Sequence, residues 1–248
     1  MKEDEYRIMA QVEDGHWWYV GHHHLFNSLL DLHCPGAARG DVLDAGCGTG
    51  GYMQRMRERF HPRTLVGLDI SDEALRFCAG RGLADTRCCS IEELPFEDAS
   101  FDLVVSFNVI CHYAVADDLA TLREMARVLR PGGWMLLNLP AFDILRGSHD
   151  AAVGGVRRYR APRTRAMLQE AGLRPELLTY FNTFLFPVAV AWRLWSRRRA
   201  EREEVRSDLW APTYLNGALA ALLRLEEAVA LRWGLPFGVS LVALSRKP

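Results

Sequence analysis

The pattern of apolar and polar positions changes at about residue 41. From there, short apolar runs typical of buried strands alternate with longer stretches whose apolar positions repeat at helical spacing. The predicted strands cover residues 42–45, 64–69, 86–89, 101–107, 134–139, 176–181 and 239–244, and the predicted helices include 52–60, 117–130 and 162–171. This alternation indicates right-handed crossovers and a sheet covered by helices on both faces. We therefore predict an α/β fold with a seven-stranded sheet, mostly parallel and ending in an antiparallel strand.

Two regions depart from this alternation. Residues 1–40 are helical in pattern and rich in aromatic side chains, and residues 183–236 form a long helical stretch before the last strand. Because structureless loops of that length are rare, we interpret 183–236 as a helical insertion that caps the substrate side of a single domain, whose core is 41–182 and 237–248. The predicted buried face of this insertion is Ala218, Leu222, Leu225 and Val229, with Arg224, Glu227 and Arg232 mostly off it.

Composition and charge narrow the classes of function. The 248 residues carry a net charge of −1, without the basic field that nucleic acid would attract, so no nucleic-acid partner is expected. Six cysteines lack metal-ligand spacing and the opening MKEDEYR is unlike a secretory signal, which predicts reduced thiols, no metal and a cytoplasmic protein. The apolar run 184–195 is too short to span a bilayer, but it has the character of a peripheral membrane contact. The pattern gives no oligomeric state.

A glycine-rich loop follows the first predicted strand. Glycines at positions 46, 48, 50 and 51 allow a sharp turn into a helix and a close approach of a ligand to the backbone. The spacing also fits a dinucleotide fingerprint, which alone is a weak signal. Asp44, two residues before the loop, would repel a pyrophosphate but suits a ligand with an ammonium group. Asp69 ends the second strand, where a carboxylate binds ribose hydroxyls, and this position does not distinguish the two kinds of cofactor.

The chain resembles the class I S-adenosylmethionine (SAM)-dependent methyltransferases in four ordered motifs within about residues 41–140: VLDAGCGTG, VGLDIS, ELPFEDASFDLVVSFNVICHY and REMARVLRPGGWMLLNLP. The opening HWWYVGHHHLF and the closing segments resemble one large bacterial branch of that family, whose substrates vary. The resemblance implies a Rossmann-like sheet and SAM as the cofactor. Two other functions stay open, an NAD(P)-dependent oxidoreductase that uses the same loop and a non-catalytic SAM-binding protein.

The resemblance also implies a role for each cofactor-site residue. The loop glycines Gly46, Gly48 and Gly50 would border the methionine part of SAM, with Asp44 beneath it. Asp69 would hold the ribose, Ile70 would pack on the adenine, and Ser90 and Ile91 would face its edge. The family commonly has an acidic residue where Ser90 stands, so that contact is weakened here. The end of the fourth strand, Phe107 and Asn108, would lie under the sulfonium.

Methyl transfer needs an aligned acceptor and in some cases a base. The candidate bases are His112, after the fourth strand, and His149, beside Asp150 in a loop after the fifth strand, although packing is an alternative for both. Consecutive residues on a helix diverge by about 100°, so we interpret the run from His22 to His24 as a solvated helix face and not as a metal site. The aromatic run 16–19 is either a packed cap or a segment that closes over SAM.

Several arginines follow the fifth strand. Arg157 and Arg158, with Tyr159 beside them and Tyr113 after the fourth strand, are the predicted acceptor contacts. Guanidinium clusters bind phosphate or carboxylate, so the pattern favours an anionic acceptor, with a solvated loop as the alternative. The apolar run 184–195 adds the hypothesis of a lipid-linked acceptor. The sequence therefore predicts a methyltransferase acting on a small or lipid-linked molecule.

Overall fold

The computed structural model describes residues 3–197 and 213–248. Seven strands form one sheet: β1 Asp41–Ala45, β2 Thr64–Asp69, β3 Thr86–Cys88, β4 Phe101–Phe107, β5 Leu129–Pro140, β6 Arg174–Phe181 and β7 Ser240–Arg246. The described helices are α1 Glu3–Val12, α2 Trp17–His33, α3 Pro35–Ala38, α4 Gly51–Phe60, α5 Asp72–Gly80, α6 Asp118–Val128, α7 Ser148–Val153, α8 Ala161–Glu170, α9 Phe186–Arg197 and α10 Asn216–Trp233. Each predicted core strand is present within a few residues of its expected bounds.

The sheet has the order β3-β2-β1-β4-β5-β7-β6. Pairings from β3 through β5 are parallel, and β7 is antiparallel to both of its neighbours. This confirms the predicted fold class, including the antiparallel last strand. The strand β7 is inserted between β5 and β6, with Ser240 opposite both Pro140 and Phe181. Its first residue therefore lies at the edge of the sheet where the parallel strands end.

Alternate residues of the central strands pack in two apolar cores, one on each face of the sheet. In β1, Leu43 packs in the core on one face of the sheet and Val42 in the core on the other. The first core includes Leu122 of α6 and Leu168 of α8, and the second includes Leu25 of α2. Successive side chains of a strand point to opposite faces of the sheet, and here both sets are buried. A parallel sheet covered by helices on both faces requires this pattern.

The predicted buried face of the last helix is wrong. Leu225 is 65% exposed, and Ala218 is also exposed. The face of α10 that packs inward instead carries Leu223, Glu226, Glu227 and Ala230, all buried. Two buried glutamates break the apolar stripe, so a count of apolar positions selects the wrong side of the helix.

Those glutamates have partners that the sequence pattern does not reveal. The Glu226 carboxylate accepts hydrogen bonds of 2.8–3.0 Å from the backbone N–H groups of Thr183 and Phe184. Glu227 Oε2 contacts His24 Nδ1 at 2.5 Å. A carboxylate bonded in this way is stable when buried. These contacts fix α10 to α2 and to the segment after β6.

The insertion places its two described helices differently. Helix α9 lies along a large cavity at the carboxyl edge of the sheet, whereas α10 packs mainly on α2. Close packing between α2 and α10 depends on Gly21, because a Cβ there would lie 2.9 Å from Leu223 Cβ. The apolar run 184–195 of the membrane-contact hypothesis is followed by basic residues, of which Arg198 and Arg199 lie outside the described residues. In the part of the chain that the structure describes, no helix combines the length and apolarity needed to cross a bilayer.

Candidate active site

The loop after β1 has the backbone conformation that its glycines predict. Gly46, Gly48 and Gly50 have φ of 99°, 54° and 81°, in the region that favours glycine. A Cβ on Gly46 would collide with Val109, and one on Gly48 would lie 2.9 Å from Met9 Cε. Gly46 and Gly48 border the cavity. Gly50 faces away from it, towards Leu83 and Cys78, so its role is to start α4 and pack the loop.

Asp69 lies at the carboxyl end of β2, beside the loop. Its carboxylate accepts bonds from the backbone N–H of Gly48 at 3.0 Å, from that of Ser71 at 2.9 Å and from the Tyr6 hydroxyl at 3.2 Å. Burial raises the pKa of Asp69, and the bonds from Ser71 and Gly48 oppose that shift. The two backbone bonds fix the carboxylate at the edge of the cavity. Tyr6 belongs to α1, so the N-terminal helix reaches the predicted ribose site directly.

Asp44 is 3% exposed beneath the loop. Within the described residues its carboxylate has no hydrogen-bond partner. Burial, followed by the charges of Asp69 and Glu13, raises the pKa of Asp44 to about 8. A buried acid in this state favours a nearby cation, because a positive charge would stabilise its ionised form. This fits the ammonium-bearing ligand expected from the sequence.

The predicted adenine contacts lie on the cavity wall. Ile70 is 49% exposed there, and Ser90 and Ile91 lie nearby on the same wall. The Ser90 hydroxyl accepts a bond of 3.2 Å from the backbone N–H of Glu92, so it helps to shape the turn. At the end of β4, Phe107 stacks on Phe26 with 4.1 Å between ring centroids.

Asn108 stands at the same end of β4 with a positive φ of 59°. Its side-chain oxygen accepts a bond of 3.3 Å from Asn138 Nδ2, at the end of β5. Asn138 is fully buried, lines the cavity, and its own Oδ1 has no hydrogen-bond partner. Asn182, after β6, is 2% exposed and lines the cavity with its Oδ1 also unpartnered. The sequence analysis missed both. The available signal is a polar residue within the last positions of a buried strand for Asn138, and directly after one for Asn182.

These groups surround a cavity of about 960 Å³ that runs along the carboxyl edge of the sheet. Small-molecule sites are commonly about 300–1,000 Å³, so the volume is at the upper end of that range. One part is bordered by the glycine loop and Asp69. Another part has an apolar wall formed by Trp18, Leu145, Leu185, Val188, Ala189 and Trp192. The space is large enough to hold two ligands together.

Helices α1 and α2 close one side of this cavity with the predicted aromatic run. The side chains from His16 to Tyr19 all line it. The turn between the helices is fixed by Glu13, which accepts hydrogen bonds from the Thr49 hydroxyl at 2.5 Å and from Arg81 at 2.7 Å. The aromatic segment is thus attached to the glycine loop itself. Of the two interpretations of this run, the attachment favours a segment that covers the cofactor site.

The interpretation of the histidine run as a solvated face is wrong for two of its three members. His22 is fully buried and His23 is 6% exposed. His22 stacks on Trp18, with 4.0 Å between ring centroids, and His23 lies against Tyr52. His24 is partly exposed and pairs with Glu227. The helix packs between the sheet and α10, so it buries most of its circumference. In the described part of the chain, no group of three metal-ligating side chains converges.

The two candidate bases both border the cavity. His112 Nδ1 accepts a bond of 3.2 Å from the backbone N–H of Ala114, and burial lowers the pKa of His112 to about 4. A neutral ring in this arrangement carries its proton on Nε2 and therefore acts as a donor there. His149 lies in the short helix α7 and not in a loop. The neighbouring Asp150 carboxylate is bonded to Arg158 and to the Gly147 N–H instead.

The predicted acceptor contacts have internal partners. Arg157 forms an ion pair of 2.9 Å with Asp118 and donates to the carbonyls of Ile110, His112 and Val115. Arg158, with a side chain 6% exposed, forms a two-pronged ion pair with Asp150. Arg158 lines the cavity, whereas Tyr113 and Arg157 do not.

Tyr159 is buried and donates to Asp118, so it also lies outside the cavity lining. Both guanidinium charges are neutralised by buried carboxylates. These ion pairs hold the loop after β5 in place and weaken the basis of the predicted anion site.

The sheet order, the glycine loop and the acidic residue after β2 define the class I methyltransferase type of Rossmann-like fold. Residues 43–137 match the family model described as "Methyltransferase domain". Among solved structures, geranyl diphosphate C-methyltransferase from Streptomyces coelicolor A3(2) has a similar fold, with a TM-score of 0.58 and 17% identity, covering 90% of this chain and 78% of that one.

Two curated relatives come from Mycolicibacterium smegmatis (strain ATCC 700084 / mc(2)155). A "Fatty-acid O-methyltransferase" is 36% identical over 126 residues, 46% of this chain and 45% of that protein. A "Probable S-adenosylmethionine-dependent methyltransferase" is 30% identical over 173 residues, covering 68% and 64%. The chain thus spans about half to two thirds of the length of these relatives. Residues 43–137 thus carry a methyltransferase domain, and the chain is similar in sequence and fold to the class I SAM-dependent methyltransferases.

Proposed function

We propose that this protein transfers a methyl group from SAM to an apolar small molecule or lipid whose reacting group is uncharged. The observation that carries the proposal is the continuous cavity. It joins the glycine loop and Asp69 to an apolar wall from α2 and α9. Such a shape accommodates a cofactor and an apolar acceptor side by side, and alignment of two reactants is the main catalytic contribution that this chemistry needs.

The residues present fit SAM. Asp44, buried beneath the loop and outside the cavity lining, would provide a negative charge for a cationic amino-acid group once it is ionised. Asp69, which lines the cavity, would provide carboxylate oxygens for ribose hydroxyls. The glycines at 46 and 48 keep the loop surface clear of side chains. When bound, SAM supplies a methyl group activated on a positively charged sulfonium. The aromatic segment from α2 would exclude water from that group.

The apolar wall supports the choice of acceptor. Leu185, Val188 and Trp192 present aliphatic and aromatic surface to the cavity from or beside α9. The nearby Arg158 charge is paired with Asp150, which disfavours a free anionic subsite. The names of the relatives support an apolar or lipid acceptor, since one is a fatty-acid O-methyltransferase and another, from Mycobacterium ulcerans, a phthiotriol/phenolphthiotriol dimycocerosates methyltransferase. The uncharged reacting group rests on the cavity lining and not on these names.

Two measurements test the proposal. Titration calorimetry with SAM, NAD⁺ and NADP⁺ should show binding of SAM alone, and preference for a nicotinamide cofactor would favour the oxidoreductase. Transfer of radiolabelled methyl from SAM should then be followed with decan-1-ol, decanoate and an isoprenoid alcohol. Transfer to an alcohol is expected, whereas transfer to decanoate alone, or SAM binding without transfer to any of the three, would contradict the proposed acceptor class.

A matched pair of variants separates the acceptor wall from general surface effects. Val188→Asp places a charge on the cavity side of α9 and should raise the acceptor KM while the Kd for SAM stays unchanged. Leu225→Asp is the control, because Leu225 is as exposed as Val188 and lies on α10 away from the cavity lining. Equal acceptor kinetics in the two variants would be evidence against α9 as the acceptor wall.

A further inference from the structure

The buried imidazole of His22 has a hydrogen bond on each ring nitrogen. Nδ1 lies 2.8 Å from the carbonyl oxygen of Trp18, and Nε2 lies 3.0 Å from the Ser240 hydroxyl. A carbonyl oxygen only accepts, so Nδ1 must carry the proton. In the neutral ring Nε2 is then unprotonated, and the Ser240 hydroxyl donates to it. His22 and Ser240 are both almost fully buried, and both line the cavity.

The serine lies among other hydrogen-bond acceptors. Ser240 is opposite Pro140 and Phe181 in the sheet, next to the ends of β5 and β6 where Asn138 and Asn182 stand. Those two asparagines have buried Oδ1 atoms without partners and also line the cavity. Because the Ser240 proton is directed at His22, the serine oxygen presents lone pairs to the cavity. A ligand matching these groups must donate hydrogen bonds, which a hydroxyl does and a carboxylate does not.

We propose that Ser240 and His22 form a proton relay that takes the proton of an acceptor hydroxyl during methyl transfer. This inference rests on the proposed function. As the acceptor oxygen bonds to the methyl carbon, its proton moves to Ser240 Oγ and the Ser240 proton moves to His22 Nε2. The electron pair of the broken carbon–sulfur bond stays on sulfur. Ser240 would touch the acceptor, and His22 is a positioning residue that acts through it.

Charge balance makes a buried imidazole suitable for this step. Burial lowers the pKa of His22 to about 4, so the ring is neutral before reaction at pH 7. The site holds one positive charge before transfer, on the sulfonium, and one after it, on the imidazolium. Forming the imidazolium therefore adds no net charge to the cavity, which limits the cost of burying it.

The surroundings of the ring are consistent with this neutral state. Aromatic rings face it from α2 and β6, namely Trp18, Phe26 and Phe181, and Ser240 faces it from β7. The titratable neighbour is His23 on the same helix, and burial lowers the pKa of His23 well below its usual value. Neither ring therefore carries a charge that would prevent His22 from accepting a proton when the sulfonium is present.

A spectroscopic test examines the pair without turnover. In the full-length protein with ¹⁵N-labelled histidine, the His22 imidazole should show a protonated Nδ1 and an unprotonated, hydrogen-bonded Nε2, with assignment by His22→Gln. Ser240→Ala should shift the Nε2 resonance. Ser245→Ala is the matched control, since Ser245 is a buried serine on the same strand that does not line the cavity. A proton on Nε2 in the wild type would overturn the relay.

Kinetics provide the second test. With decan-1-ol, Ser240→Ala should lower kcat by about 10²–10⁴-fold, the range for loss of proton transfer, at unchanged Kd for SAM. The kcat of Ser240→Ala should also rise with pH over the range in which the kcat of the wild type does not change. Ser245→Ala, the matched control, should stay within about threefold of wild type with the same acceptor.

The matched variants keep the hypotheses distinct. Equal loss in Ser240→Ala and Ser245→Ala, or no loss in Ser240→Ala, would overturn the relay and leave the proposed function intact. A wild type inactive with every acceptor would instead count against the proposed function, while the imidazole spectrum would still report on the pair.

Discussion

Binding of SAM should release a proton from Asp44. With a pKa of about 8, this buried carboxyl is about nine-tenths protonated at pH 7 in the ligand-free protein. A cation within a few ångströms lowers a carboxyl pKa by about 1–3 units. The bound form would then titrate between about 5 and 7, so about 0.4–0.9 of a proton should be released for each SAM bound at pH 7.

Titration calorimetry in buffers of different ionisation enthalpy measures this number directly. The slope of the observed enthalpy against the buffer's ionisation enthalpy gives the protons released. The release should fall as the pH rises above 8, where Asp44 is already ionised in the free protein. It should turn into proton uptake at pH 9.5, because the α-amino group of free SAM is then largely unprotonated and binds as an ammonium. Adenosine is the ligand control, because it has a ribose but neither an ammonium group nor a sulfonium, and it should release little.

The variant Asp44→Asn identifies the source of the proton. It should abolish most of the release while retaining the shape of the site. A wild-type slope of zero at pH 7 would refute the assignment of Asp44 to the cationic part of SAM. An undiminished slope in Asp44→Asn would place the proton elsewhere, with Asp69 as the next candidate because burial raises its pKa too.

The same shift affects the stability of the ligand-free protein. The folded-state pKa of Asp44 lies above its unfolded value, so the folded state binds the extra proton between about pH 4 and 8. The corresponding stability is complete below pH 4 and is lost as the pH rises through 8. Asp44→Asn should therefore melt at a higher temperature than the wild type at pH 8.5, with a smaller difference at pH 5.

Three further changes have defined outcomes. Asp69→Ala should weaken SAM binding by about 1–3 kcal/mol through lost charged hydrogen bonds, and unchanged affinity by calorimetry would exclude the ribose role. Gly21→Ala should destabilise the protein by about 1–3 kcal/mol because its Cβ meets Leu223, and adding Leu223→Ala should recover part of this in urea unfolding. Glu226→Ala should lower Tm more than Glu226→Gln, since the amide retains an oxygen for the backbone N–H groups after β6; equal melting curves would show that these bonds contribute little.

The half of the fold that binds the cofactor follows closely from the sequence. Its strands are short apolar runs, its glycine loop needs positive φ at Gly46 and Gly48, and Asp69 ends a strand at the cavity edge. These are local signals, because each depends on residues within a few positions. The spacing of apolar residues and the residue types found in turns are therefore enough to locate the strands, the glycine loop and Asp69.

The acceptor half depends on contacts between distant segments. The buried state of His22 comes from packing against Ser240 and Phe181, more than 150 positions away. The arginines at 157 and 158 look like an anion site until their carboxylate partners, Asp118 and Asp150, are placed beside them. No local pattern reports such pairings. This explains why the histidine run 22–24 and the inward face of α10 were assigned incorrectly, and why the ion pairs of the two arginines were not foreseen.

The position of β7 sets an order of assembly. This strand follows all the others in the chain, yet it lies between β5 and β6 and carries Ser240 to the cavity. During synthesis, the strands β1 to β4 with the glycine loop are available for pairing well before residue 240 leaves the ribosome. The nascent chain can thus form a nucleotide-binding half first, while β6 has no partner until β7 arrives. The apolar wall would then be assembled last, so its residues from α2 and α9, which are synthesised before β7, stay exposed until the sheet is complete.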